Sequence, residues 1–136
     1  GDHRDLHLSL RRQRQMCIRD SLGITVKGLN KVEISDRWKQ DDELLVATIT
    51  SIKEIGEDLS EEPSYKEIWS MLLEISNHPE IKKLNLEIDL KNSVNVSYIL
   101  GSLLPLTPLE KQTMLECESS KEKLDYLKSI IKKLGG

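Results

Sequence analysis

The chain has no phenylalanine, and aromatic rings occur only at Trp38, Tyr65, Trp69, Tyr98 and Tyr126 of its 136 residues. Any core must therefore be built mainly from leucine, isoleucine and valine. Cysteine is confined to Cys17 and Cys117, and histidine to His3, His7 and His78. Beyond residue 21 only Cys117 and His78 remain, which allows no internal disulfide and no tetrahedral metal site. Such cysteine usage suits a reducing, cytoplasmic setting. No apolar run approaches the roughly 20 residues that span a bilayer, so a membrane partner is not expected. The G-x-x-x-x-G-K-[ST], G-x-S-x-G and H-E-x-x-H patterns are all missing, so no phosphate loop, nucleophile elbow or zinc-protease helix is expected. No cofactor is implied.

Arginine is unevenly spread. Five of the six arginines (Arg4, Arg11, Arg12, Arg14 and Arg19) precede Asp20, and Arg37 stands alone among lysines thereafter. Gln15-Met16-Cys17-Ile18-Arg19-Asp20-Ser21 resembles the translation of a transposon-end adapter from sequencing libraries. Residues 1–21 are accordingly expected to be foreign to the fold, as a fusion scar would be. A basic arm that binds nucleic acid is the rival reading. Residues 22–136 then carry fifteen basic and twenty acidic side chains, a net charge of −5. That is the balance of a Lys/Glu-rich globular domain, not of a nucleic-acid binder.

Period-two patterning comes first and helical patterning second. Ile24–Gly28, Lys31–Ser35 and Leu44–Ile52 alternate as strands, with Leu29-Asn30 and Lys39–Glu43 as turns. The expected fold is α+β: an antiparallel β-meander, an incomplete β-half over 22–62, followed by a four-helix C-terminal half over 63–136. A three-stranded sheet with open edges is marginal by itself, so an upstream section is expected to be missing. The acidic stretch from Lys53 to Pro63 reads as a linker. Ser64 with Glu67, and Ser119 with Glu122, have capping-box spacing. Apolar stripes mark helices starting at Ser64, at about Ser93, at Pro108 and after Ser119. Gly101 lies inside the second of these, where it costs about 1 kcal/mol relative to alanine and suggests close packing.

Candidate chemistry is sparse. Ser120 with Lys123, and Ser129 with Lys132, match S-x-x-K but read as surface residues of the last helix. His78 reads as a surface turn residue. Cys117 lies between glutamates, which raise a thiol pKa. Asp41, Asp42 and Glu43 lack the ligand spacing of a calcium loop and read as a solvated turn. Trp38 and Trp69 could line a peptide groove, but packing of sheet against helix is the preferred role. Asn95-Val96-Ser97 matches a glycosylation triplet inside a helix of a chain without a secretory signal.

The most informative stretch is Leu103 to Glu116. Thr107 caps the following helix, Glu110 reaches back to complete a capping box, and Pro108 occupies the first helical position, where its missing N–H costs nothing. Leu104-Pro105-Leu106, Glu110-Lys111-Gln112 and Leu115-Glu116 resemble the "LPL…EKQ.LLE" signature of the substrate-binding N-terminal domain of Lon-type ATP-dependent proteases. Small stand-alone bacterial proteins also carry that domain. Leu22–Gly28 resembles the family's "g.i.v.G" strand and Asp41–Ile49 its "dgLlva.V" strand. Lys123-Leu124 through Leu127 resembles its "RL..L" helix. Lys31-Val32 departs from the usual Arg-Phe, and the family's apolar opening has no counterpart here.

The resemblance implies a non-catalytic domain that binds polypeptide segments, in a protease-associated or chaperone-like role. Its partners would be polypeptide clients or a protease or chaperone. The expected mode is apolar contact with the β-half and strand addition at an edge. No catalytic, cofactor or metal residue is implied, and the substrate-binding residues stay unknown. Leu104, Leu106 and Leu115 are expected in the core, Pro105 in the turn, and the motif as a whole holds the helical hairpin. Two alternatives remain open: an interaction domain unconnected with proteolysis, and the remnant of a small enzyme whose site lay upstream. The β-half is expected to be molten or aggregation-prone around a firmer helical half.

Overall fold

The structure, a computed structural model, describes residues 14–16 and 23–135. The expectation for residues 1–21 therefore lies almost wholly outside the described residues. Strands β1 (Arg14–Met16), β2 (Ile24–Val26), β3 (Lys31–Lys39) and β4 (Leu45–Ile52) precede helices α1 (Lys66–Ser76), α2 (Pro79–Lys82), α3 (Ser93–Leu103), α4 (Pro108–Glu116) and α5 (Ser120–Gly135). The class is α+β, with antiparallel strands first and helices after. The pairing within the strand half differs from a simple run of three. Ile24–Val26 pairs with Arg14–Met16, while β3 pairs with β4 as a separate hairpin.

The hairpin turns at Gln40–Leu44. The Gln40 amide donates to the Leu44 carbonyl at 2.8 Å, and the Asp42 carboxylate accepts from the Leu44 amide at 3.0 Å. Glu43 takes a positive φ of 72° there. The ladder slips between Ile34 and Asp36, a bulge at Ser35 whose hydroxyl donates to the Thr48 carbonyl at 3.3 Å. Such bulges bend a strand and break up its open edge.

Among the described residues every buried apolar side chain belongs to the linker or the helical half, from Leu59 to Ile130. Helix α3 is the centre. It is apolar almost all round, as a helix enclosed by others must be, and Val96, Ile99 and Leu100 are fully buried in it. Its buried hydroxyls bond back to the helix, Ser97 to Val94 O at 2.8 Å and Ser102 to Ile99 O at 2.7 Å. A side chain at Gly101 would crowd the Met114 thioether of α4, about 3 Å away, so glycine lets these helices approach. Trp69 is buried and its indole donates to the Leu90 carbonyl at 2.9 Å.

Helix starts follow the capping expectations unevenly. At α4 the Thr107–Glu110 box forms in both directions. The Ser64–Glu67 box does not form. A 3-10 turn over Pro63–Tyr65 places Ser64 inside a helical turn, so its hydroxyl is one step too late to cap. At α5 the Ser119 hydroxyl accepts from the Glu122 amide, but the Glu122 carboxylate takes the amide of Glu118 instead. Helix α3 is capped by Asn92, whose carboxamide oxygen accepts from Val94 N and Asn95 N at 3.0 and 3.2 Å. The linker crosses this cap at Gly56, where a Cβ would run into the Asn92 carboxamide. Gly56→Ala should therefore unseat the cap and cost about 1 kcal/mol, measurable by urea denaturation.

The phenol of Tyr65 donates to Asp125 at 3.0 Å, and burial together with that carboxylate pushes its pKa from 10.0 up to about 12. The folded state thus holds the proton more tightly than the unfolded chain. Stability should fall as pH rises from about 10 towards 12, because there the unfolded chain has released the proton that the folded state keeps. Alkaline melting curves should show this slope, and Tyr65→Phe should flatten it.

Candidate binding groove

The hairpin contributes nothing to the core, so polar ties fasten it to the helices. The Lys123 ammonium on α5 forms an ion pair with Glu54, which follows β4 in the linker. The side chains are 1% and 13% exposed respectively. Tyr98 of α3 donates its hydroxyl to the other oxygen of Glu54, and the Lys123 ammonium lies 5.2 Å from the Tyr98 ring centre. At the start of β3, Lys31 donates to the Cys117 carbonyl at 2.9 Å. Burial, and then the nearby Lys123 charge, lower the Lys31 pKa. Strand, linker and two helices thus meet at one buried polar cluster.

Beside this cluster a groove of about 800 Å³ runs between β3 and α4. Lys31 through Arg37 line it without a gap. A sheet face would present alternate residues, because side chains alternate between faces. An unbroken run is what a backbone edge presents. The opposite edge of β3 is taken by β4. Among the described residues no strand pairs with the other edge of β3, which forms one wall together with Ile52 of β4, and Gln112, Leu115, Glu116 and Glu118, on α4 and just after it, form the other. Val32 and Ile34 are half-buried on the strand side, and Leu115 is buried on the helix side. Acidic Glu33, Asp36, Glu116 and Glu118 outnumber basic Lys31 and Arg37 around it.

A family model, the ATP-dependent protease La (LON) substrate-binding domain, matches residues 11–133. The chain belongs to this LON substrate-binding domain family. The match begins within the arginine-rich segment that composition sets apart. No curated protein and no solved structure matches the chain.

The signature residues of this LON-type domain divide between scaffold and groove. Leu106 is buried, Leu104 packs partly buried against the main core, and Leu115 is buried with Val94 and Tyr98. Pro105 is exposed in the turn between α3 and α4. Glu110 serves the cap, and its hydrogen bonds from Thr107 hold its carboxyl below the usual range. Lys111 is half-buried. Gln112 and Glu116 line the groove.

Some of the other candidate residues take different places from those expected. Ser120 and Lys123 are buried, not on the surface. They fall on the same stripe as Leu124 and Leu127, which the i, i+3, i+4 spacing extends back to Ser120. Trp38 is 47% exposed near the hairpin turn, whereas Trp69 is in the core, so the two line no common groove. Cys117 ends α4 with its thiol pushed up in pKa, chiefly by burial and then by Glu122. His78 caps α2 through Nδ1, which accepts from Glu80 N at 3.2 Å. Among the described residues no cluster of His, Cys, Asp and Glu could hold a metal ion. Among them, too, no helix is long and apolar enough to cross a membrane.

Proposed function

We propose that this LON-type domain binds extended polypeptide segments and performs no chemistry of its own. The observation that supports it is the edge of β3 that pairs with no strand among the described residues, walled by α4 into a groove. An edge strand offers unpaired amides and carbonyls to an incoming chain, which binds by adding a strand. The half-buried Val32 and Ile34 supply apolar contact along the same wall. The clients would be unfolded or loosely folded segments presented to a protease or chaperone in the cytoplasm.

The test is calorimetric titration of a permanently unfolded, cysteine-alkylated model polypeptide into the full chain, with the same polypeptide in its native fold as control. The reading predicts saturable binding of the unfolded form only. Absence of binding, or equal binding of the native fold, would refute it and favour an interaction domain unconnected with proteolysis.

A further inference from the structure

Strand β4 has an edge with none of the usual protections. Leu45–Ile52 contains no charge, no proline and no glycine, whereas sheet edges are normally guarded by charged side chains, prolines or bulges. β3, by contrast, carries both charges and the bulge at Ser35. Among the described residues the β4 backbone bonds to β3 alone. The Thr48 carbonyl accepts from the Ser35 hydroxyl, so it faces β3. Direction alternates along a strand, so Leu45, Ala47, Ile49 and Ser51 turn their N–H and C=O groups outward. Leu45 and Ile49 also expose 41% and 54% of their surface. A two-stranded hairpin is marginal by itself in water.

We infer that two copies of this chain pair antiparallel through their β4 edges, about a two-fold axis at Thr48, into one four-stranded sheet. Ala47 then bonds to Ile49 of the second copy, and Leu45 to its Ser51, which satisfies the outward groups of both strands. Two-fold pairing admits only registers in which facing residues share a parity, because opposed side chains point to the same face. Of the two that overlap nearly all of β4, one sets Ile49 against itself and Lys53 against Leu45. The other centres on Thr48 and sets Lys53, exposed just after β4, against Glu43 in the turn before it, at both ends. The pair that Glu43 makes with Lys39 is exposed and long, at 3.6 Å, so its carboxylate stays available to Lys53. That charge match selects the second register and makes a second copy the occupant. Ile49 settles beside Ala47 of the second copy and continues the apolar row that Ile34 begins across the ladder. An isologous pairing of this kind closes on itself. Both β3 edges are left at the outer margins of the sheet, clear for the polypeptide binding proposed above.

Sedimentation velocity of the full chain over a dilution series tests this. The expected result is a reversible monomer–dimer equilibrium. Thr48→Lys sets two ammoniums side by side at the axis and should abolish the dimer, since like charges directly opposite are destabilising. In the monomer the new ammonium stands across the ladder from Asp36, so the hairpin keeps its fold, which circular dichroism checks. Lys53→Glu, at an exposed position outside the strand, should weaken dimerisation by roughly tenfold. Glu43→Lys added to it should restore the original dissociation constant. Hydrogen exchange should show the amides of Leu45, Ala47, Ile49 and Ser51 gaining protection as concentration rises.

A chain that stays monomeric at every concentration, or assembles beyond a dimer, overturns the inference. So does a dimer indifferent to Thr48→Lys, or one that Lys53→Glu weakens and Glu43→Lys does not restore. Protection of the outward β4 amides that is independent of concentration would mean that a segment of the same chain covers the edge, and overturns it too. None of these outcomes bears on polypeptide binding at β3, which the calorimetric titration tests separately.

Discussion

Lys123→Ala is expected to cost about 3–5 kcal/mol of stability, the range for removing one partner of a buried ion pair. The ammonium is almost wholly enclosed and Glu54 nearly so. Alanine at 123 would leave the Glu54 carboxylate with the Tyr98 hydroxyl but without the cation that is paired with it. The desolvation already incurred by Glu54 would then be offset only by the Tyr98 hydroxyl and the nearby Lys31 charge. A double change, Lys123→Met with Glu54→Leu, removes both charges and should recover most of the loss, since apolar replacement of such a pair is often neutral. Urea denaturation followed by circular dichroism measures both. A loss below about 1 kcal/mol for the single change would mean that the pair behaves as a solvated surface bridge. The same variant should loosen the hairpin, because Glu54 joins β4 to the helices.

Leu100→Ala should cost about 2–5 kcal/mol, the usual range for emptying a sealed core site. Leu100 is fully buried on the central helix. Ile49→Ala, on the hairpin, should change stability by no more than about 0.5 kcal/mol, because Ile49 is 54% exposed. The contrast follows from the location of the core. Among the described residues all of the buried apolar side chains lie at or beyond Leu59, so the hairpin is stabilised by its own ladder and by the polar cluster. Comparable losses at both positions would show that the hairpin packs against an apolar surface. By the same reasoning the hairpin amides should exchange faster than those of α3.

Much of the helical half could be read from the sequence. Thr107, Pro108 and Glu110 have one physical interpretation, and the helix they start runs over Pro108–Glu116. Gly101 was recognisable as a close-packing site because glycine inside a helix needs a reason. The failures have local causes. Ser64 has capping spacing, but Pro63 starts a tighter turn first. Lys123 reads as a surface residue from its charge, although the stripe through Leu124 and Leu127 passes through it and buries it. Its partner Glu54 lies 69 residues away, and no local pattern links the two. The Asn92 cap was available as a polar residue before an apolar run. Strand pairing was the least legible part, because alternation shows that a strand has two faces but not which strand lies beside it. The groove follows from that pairing, so the β3 edge could be expected only as a class of surface. Gln112 was visible as part of the EKQ motif, but nothing in the sequence distinguished a groove residue from a scaffold residue.

The central claim is that polypeptide adds to the open edge of β3. Hydrogen exchange of the full chain, with and without the cysteine-alkylated unfolded polypeptide, tests it most directly. The account predicts new protection at alternate amides within Lys31–Lys39, those facing away from β4, with α3 and α5 unchanged. Protection confined to the Gln40–Leu44 turn or to the helices, or bound polypeptide with no change along β3, would contradict it.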